Sequence, residues 1–255
     1  MGVFSYTIGG VARFFEYAGR MTELFFTSVY FIIRLAVSLP MTIYQMSVMG
    51  LNSLPIVFLV TSFTGMMLSL QVTKQAVKFG TTRYIGGVVA IVMVRELVPV
   101  LTSVVMAGRV GSAIASELGS MKVTEQIDAL RSLATNPVRY LVVPRLVALT
   151  IMIPLVTIFS GFVSMAAAYL VAFYVGGVTV HVFFESVPLL VKAQDIMSAL
   201  LKSGVFAVTI GLVGCTEGMW VEGGAQGVGR ATTNAVVISM VLIFAFNYFL
   251  SLLLF

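Results

Sequence analysis

The sequence predicts an all-α integral membrane protein, and its composition and charge pattern support this fold class. Hydrophobic types make up 59% of the 255 residues and charged types only 10%, whereas soluble domains average about 25% charged residues. Charged residues are absent from the stretches 35–73, 146–184 and 231–255, each longer than the roughly 20 residues that cross a bilayer as a helix. A soluble domain and a disordered chain are therefore excluded. A nucleic-acid-binding protein is excluded too, because the basic residues are scattered.

The first 40 residues predict an amphipathic helix at the membrane interface. Four charged residues recur at steps of three and four, which forms one stripe of a helix: Arg13, Glu16, Arg20 and Glu23. Aromatic and aliphatic residues lie off this stripe, so the helix suits the plane of the interface better than the hydrocarbon core. A sixth span over residues 24–39 is the alternative, although it is short for a span and contains Arg34.

Five spans are expected to follow, and they form the core, over residues 46–255, of a single transmembrane domain that comprises residues 1–255. Their expected positions are 46–70, 85–117, 146–175, 196–217 and 232–254. An odd number of spans places the two termini on opposite sides of the membrane. With the N-terminus inside, the inner side holds twice as many lysines and arginines as the outer loops. The positive-inside rule therefore favours a cytoplasmic N-terminus and an outer C-terminus.

A short amphipathic helix is expected on the inner side, between the second and third spans. It runs from Thr124, a residue that can cap a helix, to Ala134, because a residue before Pro137 leaves helical geometry. Glu125 and Asp128 lie toward the positive end of its dipole. Arg131 lies near its other end. A narrow apolar stripe consists of Ile127, Leu130, Leu133 and Ala134. Such a helix either lies on lipid headgroups or docks into a cytoplasmic partner, and its spacing favours neither.

Charged residues inside the spans need partners, because an unpaired charge near the bilayer centre costs several kcal/mol. Arg95 and Glu96 are expected near the midplane in the second span, and Lys202 in the fourth span is the available cation for Glu96. Intramembrane charge favours a coupling network or a wet cavity over a network that only fixes helix register. Arg109 lies on nearly the same face as Arg95, and it is expected to reach one of two inner carboxylates: Glu117 or Glu217.

Two further patterns carry less information. Leu68, Val72, Ala76 and Phe79 form one apolar face at the end of the first span, and ordinary helix packing explains it. The glycine-rich stretch 223–229 is interpreted as a flexible turn, since no Gly-Lys-Ser/Thr follows it. No Walker motif occurs, so nucleotide hydrolysis needs another subunit. One cysteine and one histidine exclude an internal disulfide and a Cys/His zinc cluster.

Several motifs occur together, in order, over nearly the whole chain from about residue 40. They are VRELVPV at 94–100, MAGRVGSA at 106–113, ELGSM at 117–121, TEQIDAL at 124–130, NP at 136–137, PR at 144–145 and GRATT at 229–233. With these motifs the chain resembles the MlaE/YrbE family of ABC-transporter permeases. The resemblance implies a homodimeric inner-membrane unit with an N-terminal elbow helix and five spans per chain. It also implies that phospholipid is moved between the inner and outer membranes.

The resemblance further implies partners and residue roles. Cytoplasmic ABC ATPases, which hold the ATP and Mg²⁺, would bind through a coupling helix over 124–134; a periplasmic MCE-domain ring would continue the lipid path, and many members add a STAS-domain subunit. No cofactor or metal is expected on this chain. The implied coupling residues are Thr124, Glu125, Ile127, Asp128, Leu130 and Arg131. The implied lipid contacts are Leu68, Val72, Ala76 and Phe79. The expected charge network comprises Arg95, Glu96, Arg109 and Lys202.

Two other functions compete with this one. An ion-coupled secondary transporter of a lipophilic substrate would use Glu96 and Lys202 as proton-linked groups, but the sequence lacks the paired broken helices of an inverted repeat. An intramembrane enzyme would need a nucleophile with a base, and His181 in an outer loop is thin support for one. A permease without enzymatic activity of its own is therefore the expectation.

Overall fold

Five helices in the described part of the chain are long and apolar enough to cross a membrane, which confirms the predicted fold class and number of spans. The computed structural model describes residues 2–34 and 37–255, and the side chains of 15–34 and 37–255. Every long element in these ranges is a helix: α1 (Gly2–Ile33), α2 (Leu39–Phe79), α3 (Thr82–Val123), α4 (Gln126–Ser132), α5 (Val138–Gly176), α6 (Val180–Leu190), α7 (Ala193–Met219) and α8 (Gly224–Leu254). The five spans α2, α3, α5, α7 and α8 extend beyond the predicted bounds at one or both ends.

Helix α1 is one continuous helix that lies against the bundle and is not among the five candidate spans. Leu24 is buried in the core, and the Arg20 guanidinium lies 5.8 Å from the centre of the Trp220 ring. Arg20 also pairs with Glu16, as their spacing of four predicts. The side chain of Arg13, and residues 35–36 within the alternative span over 24–39, lie outside the described residues.

The spans depart from regular α-helical hydrogen bonding at several points. A 3₁₀ turn at Leu51–Ser53 precedes Pro55 in α2. Helix α3 widens into π-helical turns at Met93–Leu97 and Ala107–Gly111, and α5 begins with a third at Val138–Val142. Such turns are rare, and they are frequent at functional sites. Both π turns of α3 contain the charged residues that the sequence places inside the second span.

Small residues let α2 and α5 approach each other closely. The buried face of α2 carries Thr61, Gly65 and Ser69, spaced by four. The Ser69 hydroxyl donates a 2.7 Å hydrogen bond to the Ala168 carbonyl of α5. A methyl group added at Gly65 would lie 2.6 Å from the Ser164 carbonyl oxygen. Lipid is as apolar as the helices, so the hydrophobic effect does not drive helices together within it. Close packing of this kind holds them together instead.

The helices differ greatly in how much of their apolar surface the chain itself buries. In α7, 61% of the most apolar window is buried, against 11% in α8. Only one narrow face of α8 is covered: Ala231, Ala235, Ser239 and Ile243. Helix α7 is therefore the centre of the bundle, and α8 lies at its edge.

The close approach at Gly65 predicts a difference between two glycine substitutions. Gly65→Ala should lower the free energy of unfolding by about 1–3 kcal/mol, because its methyl group meets backbone that cannot move away. Gly204→Ala in α7 is the matched control, since nothing lies within 4 Å of its added methyl group. Thermal unfolding in detergent, followed by circular dichroism, measures both. Equal midpoints for the two variants would contradict this account of the α2–α5 contact.

Candidate functional site: a charge cluster at one end of the bundle

A fully buried lysine lies at the centre of the polar site. Lys202 of α7 has 0% exposure, and its ammonium donates three hydrogen bonds. The acceptors are the Arg95 carbonyl oxygen at 2.9 Å, Glu96 Oε1 at 2.9 Å and Ser251 Oγ at 2.8 Å. An ammonium group has three protons, so every donor of Lys202 is used. The cation expected for Glu96 from the sequence is thus in contact with it.

The Arg95 carbonyl is available to Lys202 because of Pro99. In an α-helix, the N–H of residue 99 would donate to the carbonyl four residues earlier, but proline has no N–H and its ring crowds that carbonyl. The π-helical turn Met93–Leu97 falls at this point. Lys202 supplies the donor that the backbone lacks. Pro99 therefore leaves the Arg95 carbonyl free to act as one of the acceptors of the site.

Arg95 itself pairs with a residue that the sequence analysis did not foresee. Its Nε donates to Asp195 Oδ1 at 2.8 Å, and its Nη2 lies 2.8 Å from the same oxygen. Asp195 is 5% exposed and its other oxygen accepts the Lys192 backbone N–H at 2.7 Å. Asp195 precedes Lys202 by seven residues, two turns on one face of α7. That spacing is the signal that could have identified it.

Helix α8 completes the site with uncharged side chains, which the sequence analysis also missed. Asn247 Nδ2 donates to Glu96 Oε2 at 2.8 Å, and Ser251 Oγ lies 2.9 Å from Glu96 Oε1. The Phe255 ring centre lies 4.4 Å from Arg95 Cζ and 5.0 Å from Lys202 Nζ. We call Arg95, Glu96, Asp195 and Lys202, together with Asn247 and Ser251 of α8 and with Phe255, which directly follows α8, the charge cluster.

The charge cluster lies near one end of α7 and of α8, while its expected midplane position stays a prediction. Asp195 is in the first turn of α7, which begins at Ala193, and Ser251 is in the last turn of α8, which ends at Leu254. Helix α3 is 42 residues long, about 63 Å at 1.5 Å per residue. Helix α3 begins at Thr82, 13 residues before Arg95, so about 20 Å of it lies beyond the charge cluster on that side. At its other end, Leu118 lies beside Gly218 in the last turn of α7.

The expected partners of Arg109 are also wrong. Arg109 donates to the backbone carbonyl of Asn52, next to the break in α2, and is not part of the charge cluster. Glu117 instead pairs with Arg145 at 2.9 Å. Arg145 is 1% exposed and is therefore buried within the bundle. Glu217 faces two other polar residues: Tyr17 and Asn234.

The short helix expected between the second and third spans exists as α4, but it is shorter than the predicted range 124–134. Glu125 and Ala134 have φ values of 60° and 55°, so a left-handed residue stands at each end of the segment. Thr124 does not cap α4, because its hydroxyl donates to the Ser120 carbonyl at the end of α3. Asn136 does not end α4 either. Its side chain accepts the Val138 N–H at 2.9 Å and so caps α5.

One side of α4 is fixed to the bundle and the other is open. Ile127 is fully buried and Leu130 is partly buried, whereas Leu133 of the expected stripe is 75% exposed. Asp128 pairs with Lys122 at 2.8 Å and with Arg131 at 3.0 Å. The hydrogen bond from Lys122, helped by the positive charges of both partners, holds the pKa of Asp128 below its usual value. Both ion pairs therefore persist at neutral pH and are lost only as the pH falls through that lowered pKa.

The expected lipid face of α2 is divided between the core and the surface. Leu68, Val72 and Ala76 pack partly buried against a core cluster between α3 and α5, while Phe79 is 78% exposed. A different side of α2 is more open and consists of large apolar residues: Ile56, Leu59, Phe63 and Met67.

The single histidine of the sequence, His181, lies on α6. Its Nε2 lies 3.1 Å from Glu185 Oε1.

Comparison with known proteins identifies similar chains. Residues 42–253 match the family described as Permease MlaE. A probable ABC transporter permease protein of Synechocystis is 45% identical over 214 residues, which cover 84% of this chain and 81% of the relative. A probable ABC transporter permease protein of Rickettsia felis is 38% identical over 243 residues, 95% of this chain and 94% of the relative. The Arabidopsis thaliana chloroplastic protein named trigalactosyldiacylglycerol 1 is 41% identical over 210 residues, 82% of this chain and 60% of the relative.

The burial of Lys202 predicts that neutralising Glu96 and neutralising Lys202 change the free energy of unfolding by different amounts. Glu96→Gln should lower the free energy of unfolding by about 3–5 kcal/mol, because it leaves a buried ammonium without its counter-ion. Lys202→Met should cost less, since Glu96 is 38% exposed and keeps Asn247 and Ser251. Chemical unfolding of the purified variants in mild detergent measures both values. The reverse order would show that Lys202 does not depend on Glu96 in this way.

Proposed function

Because the chain belongs to the MlaE permease family, we propose that it moves phospholipid as the membrane subunit of an ABC transporter. It is a multi-pass membrane permease and not itself an enzyme, and an ABC permease works with an ATPase. The charge cluster within otherwise apolar helices carries the proposal for a phospholipid. A phosphate headgroup needs polar partners, whereas its acyl chains need apolar surface nearby. A relative named for trigalactosyldiacylglycerol supports a diacyl lipid as cargo.

The apolar surface for the acyl chains lies on α2 and α8. Large apolar residues of α8 are exposed: Val237, Val241, Phe244, Tyr248 and Leu252. With the open side of α2, they form an apolar surface that a second copy of the chain would cover, which supports a homodimer with the lipid cavity between its protomers. In this arrangement Phe79 contacts the acyl chains directly. Leu68, Val72 and Ala76 line the edge of the cavity, because they are half-buried.

Helix α4 is the proposed contact for the ATPase. Glu125, Gln126, Ala129 and Arg131 are exposed, and Ile127 anchors the helix in the core. A movement of α4 is therefore passed to the adjacent end of α3. The same helix carries Arg95 and Glu96 further along its length. We propose that ATPase closure moves α4 between two discrete arrangements, and that α3 passes this change to the charge cluster and the cavity.

The remaining parts of the system follow from the same proposal. Helix α4 and the N-terminus face the cytoplasm of the inner membrane, and the charge cluster faces the outer side with the C-terminus. An MCE-domain ring receives the lipid on that outer side and continues the path between the inner and outer membranes. A STAS-domain subunit accompanies the ATPase. Phospholipid, and no nucleic acid, is the proposed ligand.

A transfer assay tests the proposed function against an ion-coupled transporter. The complex with its ATPase is reconstituted into vesicles that contain a fluorescent phospholipid, and transfer to acceptor vesicles is followed. We expect transfer to require hydrolysable ATP and to continue when an ionophore removes the proton gradient. Glu96→Ala should slow it about tenfold or more, since it removes the counter-ion of Lys202, and the exposed Glu23→Ala is the control. Transfer that needs the gradient but no ATP would contradict the proposal.

Reversing the charge of Asp128 should weaken the contact with the ATPase. Asp128→Lys places three positive charges together, with Lys122 and Arg131, and disturbs the surface of α4 while Ile127 stays buried. We expect the amount of ATPase that co-purifies with the permease to fall severalfold. Glu23→Lys makes the same change on α1 and should leave co-purification intact. Undiminished co-purification of the Asp128→Lys variant would count against docking at α4.

A further inference from the structure

We propose that the uncharged side chains of Asn247, Ser251 and Phe255 form a latch, which must open before a phosphate-bearing headgroup reaches Arg95 and Lys202. The three residues follow each other at steps of four, so they lie on one face at the end of α8. Each of them contacts the charged residues of α3 or α7. The identity of the ligand rests on the proposed function, whereas the latch itself rests only on these contacts.

The latch can separate from the four charged residues of the charge cluster without leaving a charge unpaired. Its contacts are two side-chain hydrogen bonds to Glu96, one to Lys202 and the ring of Phe255 over two cations. None of them is an ion pair. Both ion pairs of the cluster, Arg95–Asp195 and Glu96–Lys202, join α3 to α7. Opening therefore breaks hydrogen bonds and cation–π contacts, which cost far less than a buried charge left alone.

The contacts of α8 also favour opening at this helix. It is the least buried of the five spans. Asn247 Oδ1 is buried without a hydrogen-bond partner in the described part of the chain, so the closed latch does not satisfy every polar atom of the site. Helices α3 and α7, in contrast, are fixed to each other by two ion pairs. Of the three helices at the cluster, α8 is the one that can move alone.

Opening would expose donors suited to a phosphate. The N–H group of Lys202 that now donates to Ser251 would become free to bind another acceptor. The guanidinium of Arg95, 37% exposed at present, would lose the ring of Phe255 from its face. Arginine and lysine donors bind phosphate oxygens strongly. The ring of Phe255 and the phosphate therefore compete for the same two cations, which makes Phe255 a specificity-determining residue for the headgroup.

The first experiment measures access to the cluster without any lipid. A thiol is introduced by Ser198→Cys, at a site that is 5% exposed and lies between Asp195 and Lys202 on the same face of α7, in a Cys215→Ser background. Its reaction with a membrane-impermeant thiol reagent is timed in the intact complex. Phe255→Leu, which keeps an apolar side chain but removes the ring, should speed labelling about fivefold. Phe159→Leu, at an exposed aromatic residue of α5, is the control.

The second experiment measures the ligand. Native mass spectrometry of the complex compares bound phosphatidic acid with diacylglycerol of the same acyl chains. Phe255→Leu should raise the ratio of phosphatidic acid to diacylglycerol about fivefold, and Phe159→Leu should not change it. Labelling that Phe255→Leu does not accelerate overturns the latch. Faster labelling with an unchanged lipid ratio overturns the role in headgroup access, whereas failure of the proposed function shows separately, as absent transfer of phospholipid in the vesicle assay.

Discussion

The buried ammonium of Lys202 constrains the packing of the three helices that meet at it. A lysine with no exposure must find an acceptor for each of its three protons, and the chain supplies them from two other helices. Helix α3 contributes a carboxylate and a carbonyl that Pro99 leaves without its helical donor, and α8 contributes a hydroxyl. The relative positions of α3, α7 and α8 are therefore set together. A change in any one of them alters the hydrogen bonding of Lys202.

The contacts of Lys202 differ in kind, and this difference links structure to transport. Its bond to Glu96 is an ion pair within a low-dielectric bundle, whereas its bond to Ser251 is neutral and connects to the least buried span. Helix α3 extends from the charge cluster to α4 on the other side, where Ile127 and the Lys122–Asp128 pair attach that short helix to the bundle. One continuous helix thus joins the proposed ATPase contact to the proposed headgroup site, and it provides a physical connection through which the two sites can be coupled.

The sequence predicts the features that charge alone decides. Spans follow from the absence of charge, and the contact between Glu96 and Lys202 follows because a charge inside a bundle needs a partner. Interhelical packing decides the rest. Asp195, Asn247 and Ser251 join the site through helix faces that spacing does not assign to a neighbour, and Arg109 finds a backbone carbonyl at a break in α2. The ends of α4 differ from prediction because Glu125 adopts a positive φ, which is rare for a residue with a side chain.

Structures of the intact transporter, determined by electron cryomicroscopy with and without a trapped nucleotide, test the central claim most directly. The quantities to compare are the distances from the Lys202 nitrogen to the Glu96 carboxylate and to the Ser251 hydroxyl. We expect the first to stay within ion-pair distance in both states, and the second to lengthen beyond hydrogen-bond distance in one of them. A Lys202 that leaves Glu96 while it keeps Ser251 would contradict the account.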